Sequence, residues 1–571
     1  MQRRFLIVAS TLALVPALSF NPAFAKAPAG QVYDTGMVSS ADPRATEAGL
    51  EMLRKGGSAT DAAIATMLAL TVVEPQSSGI GGGGFYVTAD ARGRVATIDG
   101  RETAPKAATP QWFFKDGKVM TFRDAVPGGT SVGVPGNIAL AAKAHRRNGK
   151  LKWSALFGPA IKLARDGWTI TPRGRQFLDF AKGSAAFTPA GQALFYGADG
   201  TPLAERSHVT NPELAKTMEL LARKGPRWFY TGANARAIVG AVTTAPRNPA
   251  PMTLKDVASY QAKDRAPICG QYREYRVCGM APPSSGETTV FAVLKQLERF
   301  DLRALGPDSP TAWHLIAESM RLAYADRAKF LGDADFVKVP VTGLIDAQYL
   351  ASRSALIDPA KSLGLVTAGS PPGSEKLARA EGTSGPEHGT SHFVAVDRRG
   401  NVVTYTSTVE SAFGSGLMAG GYYLNNELTD FDMAPERDGK PAANRVESGK
   451  RPRSSMAPTL IYGPDGKLRL AIGAAGGTTI PAQVAKSIIA VLDWGMSAQD
   501  AIAQPLIFAP EGPTVFIESG TKLEAMIPAL KALGHADLRT RPGGKANAVE
   551  VVGRQLRGGA DPRSDGTATA E

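Results

Sequence analysis

The chain has 571 residues, of which 43% are hydrophobic, enough to bury a large core and too many for a disordered chain. Its formal net charge is +13, from 65 Lys and Arg against 52 Asp and Glu. The basic residues are dispersed and the aromatics, 7% of the chain, form no stacking motif, so nucleic-acid binding is not expected.

In chain order, Arg3 and Arg4 precede a largely apolar run from Phe5 to Val15, and Ala23-Phe24-Ala25 has the small-x-small form of a cleavage site. Residues 1–25 read as a secretory signal peptide, too short and too interrupted by Pro16 to cross a membrane. No later segment has 18 unbroken apolar residues, so no membrane span is expected. The mature protein is expected in the periplasm or secreted.

The stretch from Ala45 to Gln76 predicts two helices split at Gly56-Gly57, with Ser58 or Thr60 as the second cap. Gly79 to Gly84 then lead into a strand at Phe85-Tyr86-Val87. Further helices are expected at Ile138 to Arg147, Trp153 to Asp166, Pro212 to Arg223 and Ala233 to Val242, and the longest at Thr311 to Asp333. Cys269 and Cys278 flank what reads as two short strands around a turn. In an oxidising compartment this favours a disulfide over two buried thiols. From Val366 to Gly389, Gly, Pro and Ser supply 11 of 24 residues, the composition of an exposed linker. A strand, the turn Asp397 to Asn401 and a second strand follow, and a helix beginning at Ile480 lies near the end. Helices and strands mix without βαβ alternation, which predicts a layered α+β fold.

Three motifs suggest chemistry that their context does not support. "GIGGGG" (Gly79 to Gly84) matches G-x-G-x-x-G, but the order is helix, glycines, strand. A dinucleotide loop needs the reverse, and close backbone packing is the better reading. "GTSVG" (Gly129 to Gly133) matches a serine-hydrolase elbow, yet the segment before it is polar and turn-forming and Pro135-Gly136 follows at once. His388 and His392 are four apart, but Gly389-Thr390-Ser391 between them is not helical, so no metal site is expected there.

Thr390 stands where the linker meets the first strand of the hairpin. A threonine hydroxyl is a weak nucleophile until a base takes its proton, and an N-terminal threonine carries its own base, the α-amine. That base exists only if the bond before Thr390 is cut. A strand-edge threonine behind a polar, Gly-rich linker is where such a cut could be made, although surface hydrogen bonding is the ordinary role of a lone strand threonine.

"GTSHFVAVDRRGN" resembles the nucleophile segment of the γ-glutamyltranspeptidases (glutathione hydrolases), which are N-terminal-nucleophile hydrolases. "GGSATDAAIA", "SSGIGGGGFYV", "DGRETAP", "VGVPG", "APPSSG", "ESMRLAYADRAKFLGD", "YYLNNELTDFD", "KRPRSSMAPT", "GAAGGTTI" and "GGADPRSDG" resemble further segments of that family, in its order, from about Val38 to Gly566. The resemblance implies a four-layer αββα sandwich, no cofactor and no metal. It implies a precursor cut between Gly389 and Thr390 into a large subunit, 26–389, and a small subunit, 390–571, that stay together. Thr390 would attack the γ-carbonyl of a γ-glutamyl compound such as glutathione, and water or an amine would take the acyl group. Thr408 would orient the nucleophile, and Gly476 and Gly477 would form the oxyanion hole. Arg101, Ser454 and Ser455 would bind the substrate α-carboxylate, and Asp430 with Glu427 would bind its ammonium. Glu410 stands where well-studied members have asparagine, and the stretch from Asp430 to Ser454 is shorter than in members with a full lid, which suggests a more open site. Two other readings share the scaffold: a cephalosporin or glutaryl-amide acylase, and a non-catalytic exported binding protein. Intact Thr390, Gly476-Gly477 and Arg101 argue against the latter.

Overall fold

The computed structural model describes residues 31–380 and 389–571. The expected signal peptide and the linker residues 381–388, with His388, lie outside them. Helix α1 (Pro43–Arg54) opens on Asp42, whose side chain accepts from the Arg44 amide, with Pro43 at the first helical position. Helix α2 (Ala59–Val73) is capped by Ser58 in a reciprocal box with Asp61 and is buried along its whole length. The other helices used below are α3 (Pro172–Phe180), α4 (Gly286–Leu297), α5 (Pro310–Phe330) and α6 (Ile480–Leu492).

Two antiparallel sheets form the centre. Their strands, in chain order, are β1 (Met37–Ser40), β2 (Gly83–Ala89), β3 (Val95–Gly100), β4 (Lys263–Arg265), β5 (Ile268–Tyr272), β6 (Tyr275–Gly279), β7 (Gly389–Val396), β8 (Val402–Glu410), β9 (Thr459–Tyr462), β10 (Leu468–Ala475), β11 (Lys545–Val552), β12 (Gln555–Ala560) and β13 (Thr567–Ala570). The first sheet runs β13-β1-β7-β8-β2-β3-β4 and the second β12-β11-β10-β9-β6-β5. Alternation along β7 assigns each side chain to a face. Phe393 and Ala395 pack with α1 and α2, whereas Val394 and Val396 join the core shared with the second sheet and with α4, α5 and α6. Thr404 bonds the Ile472 carbonyl of β10, so the two sheets lie face to face. The result is the expected αββα sandwich, with β7 and β8 buried on both sides.

Several details differ from the sequence reading. Strand β1 precedes the first helix and β13 closes the chain; both are short and gain their stability from pairing with a neighbour. The helix expected at Trp153 to Asp166 is a 3₁₀ turn, Trp153–Phe157, followed by a helix, Gly158–Asp166, because Pro159 has no N–H and belongs in a first turn. The segment from Val366 to Ala380 has no helix or strand but is tied down. Gly369 N–H donates to Asp326 at 2.7 Å and Arg353 donates to the Thr367 carbonyl at 3.0 Å, so it is not a loose tether. Cys269 and Cys278 face each other across β5 and β6 and are disulfide-linked.

Candidate active site

The β7–β8 hairpin sets the centre of the site. Asp397 makes its turn, accepting from the Arg399 and Asn401 amides, and the register brings Thr390 opposite Thr408, with an irregularity between Gly389 and Thr390. Thr390 and Thr408 share the strand faces that look toward the second sheet. The Thr390 hydroxyl lies 2.7 Å from the Gly389 carbonyl oxygen and 3.2 Å from Thr408 Oγ1. Thr408 Oγ1 donates to the same carbonyl at 2.5 Å and accepts the Glu410 N–H at 2.8 Å. A hydroxyl has one proton. With the Thr408 proton on the carbonyl, its lone pair is left for the Thr390 O–H, which directs the chain of bonds from Thr390 through Thr408 to Gly389.

The surroundings hold this hairpin tightly. A Cβ on Gly82 would sit 1.9 Å from the Thr408 carbonyl, so the "GIGGGG" run serves close strand approach. Ser391 donates to Glu74 at 2.7 Å, and Glu74 takes a two-pronged ion pair from Lys545 at 2.9 and 2.8 Å. His392 is buried, its ring nitrogens bonded to Thr406 and Thr404, and burial pulls its pKa down to about 3. It is therefore a neutral structural histidine. Ser131 of "GTSVG" is likewise spent, donating to the Val126 and Gly128 carbonyls.

Gly476 and Gly477 follow β10 and open the 3₁₀ turn that leads into α6. Their φ angles of 124° and 59° suit glycine, and Gly476 lines one cavity with Thr390.

The other expected residues form a second cluster, buried except for the partly exposed Asp430. Arg101 pairs through Nη1 with Glu427 and through Nη2 with Asp430, and its Nε donates to the Pro452 carbonyl at 3.2 Å. Burial pulls the Arg101 pKa down, but Glu427, Asp430 and Glu102 outweigh it and hold the guanidinium above its ordinary value. Glu102 and Glu427 are raised as well, which for an acid favours the neutral form. Burial raises both well above the usual carboxylate range despite Arg101. Glu410, at φ 79°, accepts from Ser411 Oγ at 2.5 Å and from Asn426 Nδ2, and its charge raises Glu427 further. Ser455 Oγ accepts from Arg327 at 2.6 Å, while the Ser454 carbonyl accepts the Ser285 N–H and Ser454 Oγ the Met456 N–H. Arg101, Glu427, Ser454 and Ser455 are each no more than 2% exposed. The ion pairs of Arg101 close the pocket on itself.

Sequence reading missed several residues. Glu102 follows Arg101 in "DGRETAP", and an acid next to an arginine in a segment entering the core was the available signal. Helix α3 carries the start signal Thr171-Pro172. The donors His314, Glu318 and His535 also converge, buried, among the described residues. There the two rings bond each other at 2.8 Å and His314 bonds the Asp358 carbonyl, which reads as a structural pair.

A family model described as Gamma-glutamyltranspeptidase matches residues 45–571. A glutathione hydrolase proenzyme of Bacillus subtilis (strain 168) is 37% identical, over 88% of this chain and 85% of its own length. An Acylase ACY 1 proenzyme of Pseudomonas sp. (strain SE83) is 35% identical, over 94% of this chain and 93% of its own. A solved cephalosporin acylase from Bacillus halodurans superposes with a TM-score of 0.81 at 24% identity, covering 98% of this chain and 99% of that one, a likeness of fold.

Proposed function

The chain belongs to the γ-glutamyltranspeptidase family, and from that premise we propose how its own residues carry the family's reaction. It is an N-terminal threonine hydrolase of the γ-glutamyltransferase and glutathione hydrolase type. The observation that carries the residue assignment is the Thr390–Thr408–Gly389 geometry. In the precursor, Thr390 Oγ1 adds to the Gly389 carbonyl carbon while the Thr408 hydroxyl polarises its oxygen. The Gly389–Thr390 C–N bond breaks, the proton lost from Oγ1 ends on the departing nitrogen, which becomes the α-amine, and water hydrolyses the resulting ester to release the Gly389 carboxylate and restore the Thr390 hydroxyl.

The freed α-amine is then the base. An α-amine titrates near ~8, so a sizeable fraction is neutral at working pH. It takes the Thr390 hydroxyl proton as Oγ1 adds to the γ-carbonyl of a γ-glutamyl donor and passes that proton to the departing nitrogen. Water or an acceptor amine resolves the ester, returning a proton to Oγ1. The amides of Gly476 and Gly477 stabilise the oxyanion.

The glutamyl end brings both an α-carboxylate and an α-ammonium. The Arg101–Glu427–Asp430 cluster stores both signs as an internal ion pair. We propose that a zwitterionic substrate exchanges into it, its carboxylate on Arg101, Ser454 and Ser455 and its ammonium on Asp430, Glu427 and Glu410. A bidentate fork suits the first contact. A second reading, a related acylase on the same scaffold, is supported by the Acylase ACY 1 relative. A glutaryl group has no ammonium, and the four acids around Arg101 favour the γ-glutamyl reading.

We expect the enzyme in the periplasm or secreted; among the described residues no helix is long and apolar enough to cross a membrane. The test is N-terminal sequencing of the smaller band of purified protein, expected to begin at Thr390, with Thr390→Ala expected to stay as one inactive chain. A Thr390→Ala protein that still splits and turns over γ-glutamyl anilide overturns the assignment. Faster turnover of glutaryl than of γ-glutamyl anilide moves it to the acylase reading.

A further inference from the structure

We propose that Ser285 and Arg327 are positioning residues for Ser454 and Ser455, and that through them they set the preference for a donor bearing an α-carboxylate. This rests on the assignment of that carboxylate to Arg101, Ser454 and Ser455. The two serines belong to the small subunit of the proposed cut, on a segment with no helix or strand beyond one bridge to Ser284. Its buried backbone groups therefore need partners from elsewhere. They find them in "APPSSG" (Ala281 to Gly286), which leads into α4 from the large-subunit side. The Ser454 N–H donates to the Pro283 carbonyl at 3.0 Å, and the Ser454 carbonyl accepts the Ser285 N–H at 2.7 Å and the Ser285 hydroxyl at 2.6 Å. The Ser284 hydroxyl donates to the Met456 carbonyl at 2.6 Å. The carboxylate-binding serines are thus held in shape from across the proposed cut.

Arg327, near the end of α5, braces the arrangement. Its Nε donates to Ser285 Oγ at 2.8 Å and its Nη2 to Ser455 Oγ at 2.6 Å, so one planar group fixes the spacing of two hydroxyls. Ser285, Arg327, Ser454 and Ser455 are all buried. A guanidinium can only donate, and a hydroxyl has one proton. Ser285 Oγ accepts from Arg327 and spends its proton on the Ser454 carbonyl. Ser455 Oγ also accepts from Arg327, which leaves its own proton to donate. Ser454 Oγ accepts the Met456 N–H at 3.2 Å and is left in the same state. Both serines therefore meet a substrate as donors, the polarity a carboxylate requires. Arg327 also puts a positive charge one hydroxyl away from the place assigned to that carboxylate. With the brace removed both serines remain, but neither the direction of the Ser455 proton nor the path of the Ser454 backbone is held, so the contact weakens.

The test uses the cut, two-fragment enzyme and two donors, γ-glutamyl-4-nitroanilide and 4-aminobutanoyl-4-nitroanilide, which lacks the α-carboxylate. We expect wild-type kcat/KM to favour the first by about a hundredfold, the scale of two charge-assisted contacts. Ser285→Ala and Arg327→Lys are each expected to cut that preference about tenfold, chiefly through a higher KM for the γ-glutamyl donor. The donor without the carboxylate should lose less than about threefold, because it makes no use of the two serines. Ser285→Ala removes one atom and Arg327→Lys keeps the charge, so failure of one to fold leaves the other to give the same ratio. A wild-type preference retained in a folded variant, or equal losses on both donors, overturns the positioning role alone. A wild-type ratio near one overturns the carboxylate site assigned above, and this inference with it.

Discussion

At the scale of single residues, Thr408 carries two duties that can be separated. Its hydroxyl donates to the Gly389 carbonyl and accepts from Glu410 N–H. Thr408→Val keeps the shape and removes the donor, so self-cutting is expected to slow by about 10²- to 10³-fold, the range for losing one oxyanion donor. A gel time course of the purified precursor checks this, and an unchanged rate would remove Thr408 from the cutting step. Glu410 gives a prediction with a definite sign. Burial, then Glu102, Asp430 and Glu410, hold Glu427 above the usual carboxylate range. As pH falls through that raised pKa, Glu427 protonates and loses its hold on an ammonium, so KM should rise toward acid. Glu410→Asn removes one of the charges that raise Glu427, and the acid limb of kcat/KM should move to lower pH with γ-glutamyl activity retained. Superimposable limbs would put Glu410 outside the pocket's electrostatics.

At the scale of elements, what the sequence made legible follows from where each element's stabilisation arises. Helix α2 was readable because its cap, Ser58, and its apolar body are both local signals. The β7–β8 hairpin was readable from an apolar run, an Asp-to-Asn turn and β-branched residues. Helix α3 was not, because one face lines a cavity, so Arg173 and Gln176 interrupt the apolar spacing that marks a helix. Strands β1 and β13 are short and depend on partners from far along the chain, which no local pattern reports. The site divided in the same way: motif positions such as Arg101 and Thr390 could be named, while Glu102 and Arg327 become visible only through the groups packed beside them. Helix α4 provides an element-scale test. Glu287, in its first turn, is buried with Thr459 donating to it at 2.9 Å, and burial pushes its pKa up to about 8. A raised folded pKa means stability that is fully present below the unfolded value, near ~4.3, and is lost as pH rises through about 8. Glu287→Gln removes that dependence. Its unfolding free energy relative to wild type should climb between about pH 5 and pH 8 and level off above, by on the order of a few kcal/mol, with the melting temperature following. A difference independent of pH would mean that Glu287 is ionised in the fold.

At the scale of the whole molecule, the proposed cut divides a sheet whose strands are interleaved. In the order β13-β1-β7-β8-β2-β3-β4, the small subunit supplies β13, β7 and β8 while the large one supplies β1, β2, β3 and β4. In the second sheet, β12 to β9 come from the small subunit and β6 and β5 from the large. Neither fragment has a complete sheet, so neither can bury its core alone. The only disulfide, Cys269–Cys278, lies within the large fragment and links nothing across the cut. The mature protein is therefore expected to run as two bands of about 38 and 19 kDa on denaturing gels with or without reductant, apportioning the chain's 59.8 kDa over 26–389 and 390–571. In native buffer the fragments should elute as one species. High salt should not part them, because the paired strands are held by hydrogen bonds and apolar packing and the ion pairs across the cut, Arg101 with Glu427 and Asp430 and Lys545 with Glu74, are buried and little screened. Heating should give one cooperative transition in which both fragments unfold together. Two separate transitions, or release of the smaller fragment by salt, would show that one subunit folds on its own and that the interleaving does not hold the pair together.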